Sequence, residues 1–425
     1  MHDLVILNAK VMRPKGLDGV NIGIDGGKIT AFAKSKIRAE RTIDATSFIV
    51  LPGLIDIHAH FRDPGETKKE DFFTGTCAAA HSGVTTVFDM PNNDPPIKSM
   101  SDLRRKDKIV SGKAVIDYAL YLGAKNPYEV KESPLTKFYT GGSQQLSVSE
   151  REFESCYAEA KHAVVHAEDS QVVEANRAKI KNPTIKDQCR IQDAESAVKG
   201  IEFVGRMYRT HQRQTHVTHI STPAEISALL PGISCDMTPH HLLLSRDDAV
   251  NNFYKVDPPL RPKEDQKKLW QELEARVTML STDHAPHLKS EKEKDFEEAP
   301  SGLPELDTYL PLMLTKVNQG LLSLTTFVKM ASSNPAAIFG LESKGAIDIG
   351  KDADFAIINL KEEGAIRSDS LFTKCGWTPY EGWKTIGSLK TTIVRGEIVF
   401  DNGEVTKKKW GKNLLLSSRS TQQTE

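Results

Sequence analysis

The sequence predicts an α/β protein: a (β/α)8 TIM barrel with a small β-sandwich domain built from both termini. Three observations carry this prediction. Short apolar runs alternate with helical stretches through the middle of the chain. Both ends instead carry strand-like runs broken by Gly and Asn-Gly turns. Several histidines and an aspartate fall at the C-terminal ends of the central runs, where a barrel keeps its active site.

The elements follow in order. DLVILNAKV and VNIGIDGGKITAFA open the chain as short strands that mix β-branched residues with Asp-Gly-Gly turn chemistry. The barrel strands are expected in IVLPGLIDIHAHF from Ile49, VTTVFDM from Val84, AVIDYALYL from Ala114 and LTKFYT from Leu135. They continue in HAVVHAE from His162, THVTHIST from Thr215, ISCDMTPHHL from Ile233 and RVTMLSTDHAP from Arg276. DADFAIINL and KTTIVRGEIVFDNGEV return the chain to β structure, and the polar tail after Val405 is expected to fray. The resulting division is 1–50 and 345–425 for the small β domain and 51–344 for the barrel. An open doubly wound sheet is the alternative, because periodicity alone does not establish closure.

Composition narrows the function class. Lys plus Arg number 56 against 57 Asp plus Glu, a net charge of −1 that argues against a nucleic-acid or anionic-membrane partner. There is no uncharged apolar run of about 18 residues to span a bilayer. Five scattered cysteines without a Cys-x-x-Cys pair form neither a disulfide framework nor a zinc finger. The chain therefore reads as a soluble cytoplasmic globular protein.

His58 and His60 form a His-x-His pair, and alternate residues of a strand share a face, so both imidazoles can reach one ion. Two histidines on a solvated strand end are the bland alternative; Asp56 before them and further candidates beyond them add weight. His166 and His219 each end a β-branched run, while His162, His216 and His284 are neighbouring decoys. Asp283, in STDHAPH, is a candidate metal-binding carboxylate that also moves protons, or else a helix N-cap. Lys137 sits inside an apolar run. Either its amine is carboxylated to bridge two metal ions, or it snorkels to solvent. Arg62 and Asn92 suit a grip on a substrate carboxylate, or ordinary loop chemistry.

These residues, in this order, resemble the amidohydrolase superfamily and within it the dihydroorotases. LPGLIDIHAHFRDPG with the following TKKEDFFTGTCAAAHSGVTTVFDMPNNDPP resembles the first- and second-strand signature, and STDHAPH the eighth-strand signature. HAED, HIST, TPHHL, DPPLRP, SNPAAIFGL and KGAIDIGKDADFAIIN fall at similar intervals, so the resemblance covers nearly the whole chain. It implies two Zn2+ per chain, held by His58, His60, Lys137 as a carboxylated bridge, His166, His219 and Asp283. Asp283 would also be the catalytic acid/base. His60, Arg62, Asn92, Asp257 and His287 would face the substrate, with Ser301 and Gly302 touching its ring.

The implied activity is reversible hydrolysis of (S)-dihydroorotate to N-carbamoyl-L-aspartate in de novo pyrimidine biosynthesis. Two departures stand out. Asp257 occupies a position where the family often has Asn, and FYTGGSQQ follows Lys137 where a different turn is common. Allantoinases and hydantoinases are the enzymatic rivals, with Arg62 separating ring substrates that carry a carboxylate. A non-catalytic partner protein is the rival of another class. A homodimer is implied at the level of the family alone, and association with aspartate transcarbamoylase is not legible in the residues.

Overall fold

A computed structural model describes residues 1–13, 16–141 and 145–416. Eight parallel barrel strands appear, labelled here β1 (Leu54–Ala59), β2 (Val84–Asp89), β3 (Asp117–Leu120, resuming at Leu122–Gly123), β4 (Thr136–Tyr139), β5 (His162–His166), β6 (Gln214–Val217), β7 (Ser234–Met237) and β8 (Met279–Leu280). Each pairs in parallel with the next. Closure is made just past β8, where His284 bridges Ala59 in parallel and its carbonyl accepts the His60 N–H at 2.8 Å. The sheet is a barrel rather than an open doubly wound sheet.

The strands are buried along almost their whole length because both their faces are covered, by helices outside and by side chains within. Val84–Asp89 is buried at every position. The helix Ala194–His211 lies close against the end of β5. This approach needs Gly200, whose Cβ would stand 2.4 Å from the Glu168 nitrogen.

The terminal segments share one nine-strand sheet, running Glu404–Val405, Glu397–Asp401, Lys384–Val394, Phe355–Ala365, Ile49–Pro52, His2–Arg13, Gly16–Asp25 and Lys28–Ala33, with Ala39–Asp44 branching from His2–Arg13. Its own apolar core includes Leu4, Ile6, Ile22, Ile24, Val50, Phe355, Ile357 and Ile393. The run from Ile49 therefore makes two strands: Ile49–Pro52 stays in this sheet and only Leu54–Ala59 enters the barrel. Gly53 permits the crossing, since a Cβ there would lie 2.2 Å from Thr85 Oγ1.

The sheet is pinned to the barrel by a buried ion cluster. Lys344 Nζ lies 2.8 Å from Asp117 Oδ2 of β3, 2.5 Å from Asp354 and 3.3 Å from Asp352. Arg395 pairs with Asp117 as well.

The expectation of a frayed tail is corrected for residues up to 416. Tyr118 N–H donates to the Lys412 carbonyl and Leu414 N–H to that of Tyr118, so the segment extends the edge of β3. Backbone pairing and the apolar Leu414 and Leu415 outweigh the polar composition. The remainder of the tail, 417–425, lies outside the described residues. Among the described residues no helix is long and apolar enough to cross a membrane.

Candidate metal and substrate site

Three buried aspartates shape the C-terminal rim of the barrel by accepting backbone N–H groups. Asp56 of β1 accepts from His58 N and Thr282 N, both at 3.1 Å, tying β1 to the segment beyond β8. Asp89 of β2 accepts from Phe61 N at 2.7 Å and pairs with the buried Lys106 at 2.5 Å. Asp236 of β7 accepts from His219 N at 2.9 Å and Ser281 Oγ at 2.7 Å. Such ties hold three rim residues in the left-handed region: Arg62 (φ 57°), His219 (φ 43°) and Asp283 (φ 49°). A non-glycine residue there is strained unless its surroundings fix it, and such strain clusters at functional sites.

The result is one cavity of about 880 Å³ lined by His58, His60, Arg62, Asn92, Lys137, His166, His219, Asp257, Asp283, His287, Ser301 and Gly302. Every candidate residue from the sequence is thus brought to the same space. The decoys point elsewhere. His216 pairs with Asp236 at 2.7 Å, His162 stacks near Phe339, and His284 turns toward Glu70 at 3.4 Å. Asp283 caps no helix, since the nearest following helix begins at Lys289.

His58 Nε2 and His60 Nε2 each stand 3.1 Å from Asp283 Oδ1, three donors around one point. His60 Nδ1 lies 2.7 Å from Asn92 Oδ1, which can only accept, so the tautomer that donates there leaves the Nε2 lone pair free. Burial, with Lys137 and the neighbouring imidazoles, pushes His58 well below its usual range. Burial likewise pushes His219 down, so both rings are neutral. His58 Nδ1 is buried with no hydrogen-bond partner among the described residues. This donor set fits a divalent ion.

A second group adjoins it. His166 Nδ1 is 3.0 Å from His219 Nε2, and His166, Glu168 and Asp257 bring one ligand atom each within 4.8 Å of one another. Burial alone would lower the His166 pKa; the carboxylates of Asp257 and Glu168 raise it instead. Burial pushes Asp257 up to about 6, although Gln192 Nε2 donates to it at 2.6 Å.

Lys137 does not snorkel: it is 1% exposed. Its Nζ donates to Thr218 Oγ1 at 3.0 Å, and among the described residues no carboxylate comes within 4.0 Å. Burial pushes the amine down to about 7. A neutral amine among imidazoles is a nucleophile toward CO2, and the carbamate it would form is anionic. The donor set therefore also fits a bridged pair of ions.

The same cavity also holds a buried cation. Arg62 is buried, with Nε donating to the Pro286 carbonyl at 3.3 Å and Nη2 3.0 Å from His287 Nε2. That same nitrogen lies 3.0 Å from the Ser301 carbonyl. One nitrogen cannot accept from Arg62 and donate to Ser301 at once. A guanidinium carries five N–H donors, and the contacts to Pro286 and His287 engage at most two of them. Arg62 then keeps N–H groups to spare.

The sequence reading passed over three residues lining or bordering this site. Tyr139 and Glu168 each stand two residues past a candidate ligand, Lys137 and His166, so the period-two rule that found the His pair could also have found them. Tyr139 Oη is buried without a partner among the described residues. Gln192, which bridges Glu168 and Asp257, carried no local signal. Part of the divergent turn after Lys137, residues 142–144, lies outside the described residues.

Comparison with known proteins agrees with this geometry. Residues 49–399 match the amidohydrolase family, a family that is generally metal-dependent. The chain is 38% identical to a dihydroorotase of Pyrococcus furiosus over 98% of its own length and 97% of that protein. It is 39% identical to a dihydroorotase of Methanothermobacter thermautotrophicus, covering 95% and 96%. Among solved structures it resembles the L-hydantoinase (dihydropyrimidinase) of Arthrobacter aurescens, with a TM-score of 0.93 at 28% identity, covering 97% of this chain and 99% of that one. The chain belongs to the amidohydrolase family, and within it to the dihydroorotases.

Proposed function

We propose that the chain catalyses reversible hydrolysis of (S)-dihydroorotate to N-carbamoyl-L-aspartate, a step of de novo pyrimidine biosynthesis. The single observation that carries this choice of ring is Arg62: a buried guanidinium with spare N–H groups and no carboxylate of its own, facing the same cavity as the His and Asp cluster. Rings without a carboxylate leave that cation unmatched.

Two zinc ions would be held by His58, His60, His166, His219 and Asp283 together with Lys137, whose carbamate would supply the anionic oxygens. Bound zinc supplies Lewis-acid polarisation of the scissile carbonyl and brings water within reach of deprotonation near neutral pH. The remaining steps belong to the chain's own groups. Arg62 and Asn92 hold the substrate carboxylate with His287 beside them, and Ser301 and Gly302 bound the ring. An Asp283 Oδ atom takes the proton of the attacking water as the C–O bond forms. It then delivers that proton to the ring nitrogen as the C–N bond breaks.

The reading includes a cytoplasmic enzyme, supported by five cysteines without a disulfide among them. The barrel from Leu54 onward is its catalytic unit, the terminal sheet is a buttress, and a homodimer is its expected assembly.

An Asp283→Asn variant tests the proton transfer. Turnover should fall by about 10²- to 10⁴-fold. Metal content is measured on the same sample, so that loss of an ion is not mistaken for loss of the base. Full turnover with metal retained would remove the mechanism.

A further inference from the structure

Behind the wall formed by Ser301 and Gly302 lies a lysine that the reaction as derived does not use. Lys292 is 1% exposed, and among the described residues no carboxylate comes within 4.0 Å of its ammonium. Its three N–H donors meet three backbone carbonyls: Lys255 at 2.9 Å, Pro300 at 2.9 Å and Gly302 at 3.1 Å. Those carbonyls come from two segments. One leads to Asp257, and the other brackets Ser301. Burial pushes the Lys292 ammonium down to about 7, against which three carbonyl acceptors favour the protonated form.

The segments are locked further. Gly302 N–H donates to the Lys255 carbonyl at 2.9 Å, so that oxygen accepts twice. Lys255 Nζ donates to the carbonyls of Phe296 (2.5 Å) and Ala299 (2.7 Å). Gly302 sits at φ +143°, and a Cβ there would lie 2.4 Å from the Ala285 carbonyl, so the segment has little freedom to move aside.

The peptide between Pro300 and Ser301 is trans, and in a trans peptide C=O and N–H point opposite ways. With its C=O on Lys292, this peptide turns the Ser301 N–H away from the lysine. Among the described residues that N–H has no hydrogen-bond partner, and Ser301 lines the cavity.

We propose that Lys292 is a positioning residue: by gathering the carbonyls of Lys255, Pro300 and Gly302 it aims the Ser301 N–H at the substrate ring and fixes the distance between that wall and the metal-ligating histidines. The assignment rests on the dihydroorotase reading for the identity of the ring. Lys292 itself touches neither substrate nor metal.

The test is Lys292→Met in the full-length, metal-loaded enzyme, with kcat, KM, metal content and melting temperature measured together. KM for dihydroorotate should rise by about 10- to 100-fold, the loss of one well-placed polar contact, with kcat falling less than about tenfold and metal content unchanged. An unchanged KM overturns the proposal. So does a loss of activity that merely tracks the unfolded fraction. If the Met variant does not fold, Lys292→Gln, which keeps two N–H donors, is judged by the same KM-against-kcat criterion; failure of both to fold would assign Lys292 to stability alone and also overturn it. Wild-type enzyme that ignores dihydroorotate would be a failure of the functional reading instead, and the KM ratio is then taken on the cyclic amide it does hydrolyse.

Discussion

Replacing Arg62 by Met separates the functional reading from its rivals. In the free enzyme the guanidinium is 7% exposed, with the Pro286 carbonyl on Nε and a contested contact to His287 on Nη2. No carboxylate within 4.0 Å balances its charge among the described residues. A bound carboxylate would complete a desolvated, charge-assisted pair, whose truncation typically costs about 2–5 kcal/mol. At about 1.4 kcal/mol per decade that is roughly 30-fold to several thousand-fold in kcat/KM for dihydroorotate.

The same variant should hydrolyse dihydrouracil or hydantoin, which lack the carboxylate, within about tenfold of wild type. It should also melt no lower than wild type, because an unmatched buried cation is removed rather than a pair broken. Steady-state kinetics on both substrate types, with a melting curve, decide the matter. Equal losses on rings with and without a carboxylate, or no loss on dihydroorotate, would refute the assignment of Arg62.

Other consequences follow from separate parts of the molecule. Lys137→Met should lower bound zinc from about two ions per chain to about one or none and abolish any response to bicarbonate; ¹³C-bicarbonate should give a carbamate resonance in wild type and none in the variant. Lys344→Met leaves Asp117, Asp352 and Asp354 without their shared cation, and should destabilise the fold by about 3–5 kcal/mol in denaturant unfolding with the m-value retained. Burial alone would raise the Asp352 pKa, but Lys344, Lys28 at 2.7 Å and Ser343 hold it below the ordinary carboxylate value. Its stabilisation is therefore full above the unfolded value of about 4 and lost as pH falls below it. The melting-temperature gap between wild type and Asp352→Asn should accordingly be constant near pH 6 and narrow toward pH 3.

Much of this site was legible because strand ends and strand periodicity are written in the sequence. The His58/His60 spacing and Lys137 in its apolar run could be placed on faces by counting, as could His166 at the end of its run. The less legible parts are those where tertiary contacts decide. Arg62, His219 and Asp283 owe their direction to left-handed backbone held by buried aspartates, not to strand alternation. The division of the Ile49 run at Gly53 depends on Thr85 from the neighbouring strand. Lys292 reads as one charge among several in KSEKEK, yet the fold buries it behind Ser301 and Gly302. The segment through Leu416 is polar and pairs with β3 all the same, because Tyr118 offers a free strand edge.

The most direct test of the central claim is the ratio of kcat/KM for dihydroorotate to that for dihydrouracil and hydantoin, on zinc-loaded enzyme of measured stoichiometry. Dihydroorotate should be favoured by at least about 10²-fold, with about two ions per chain. Equal or better turnover of the rings that lack a carboxylate would contradict it.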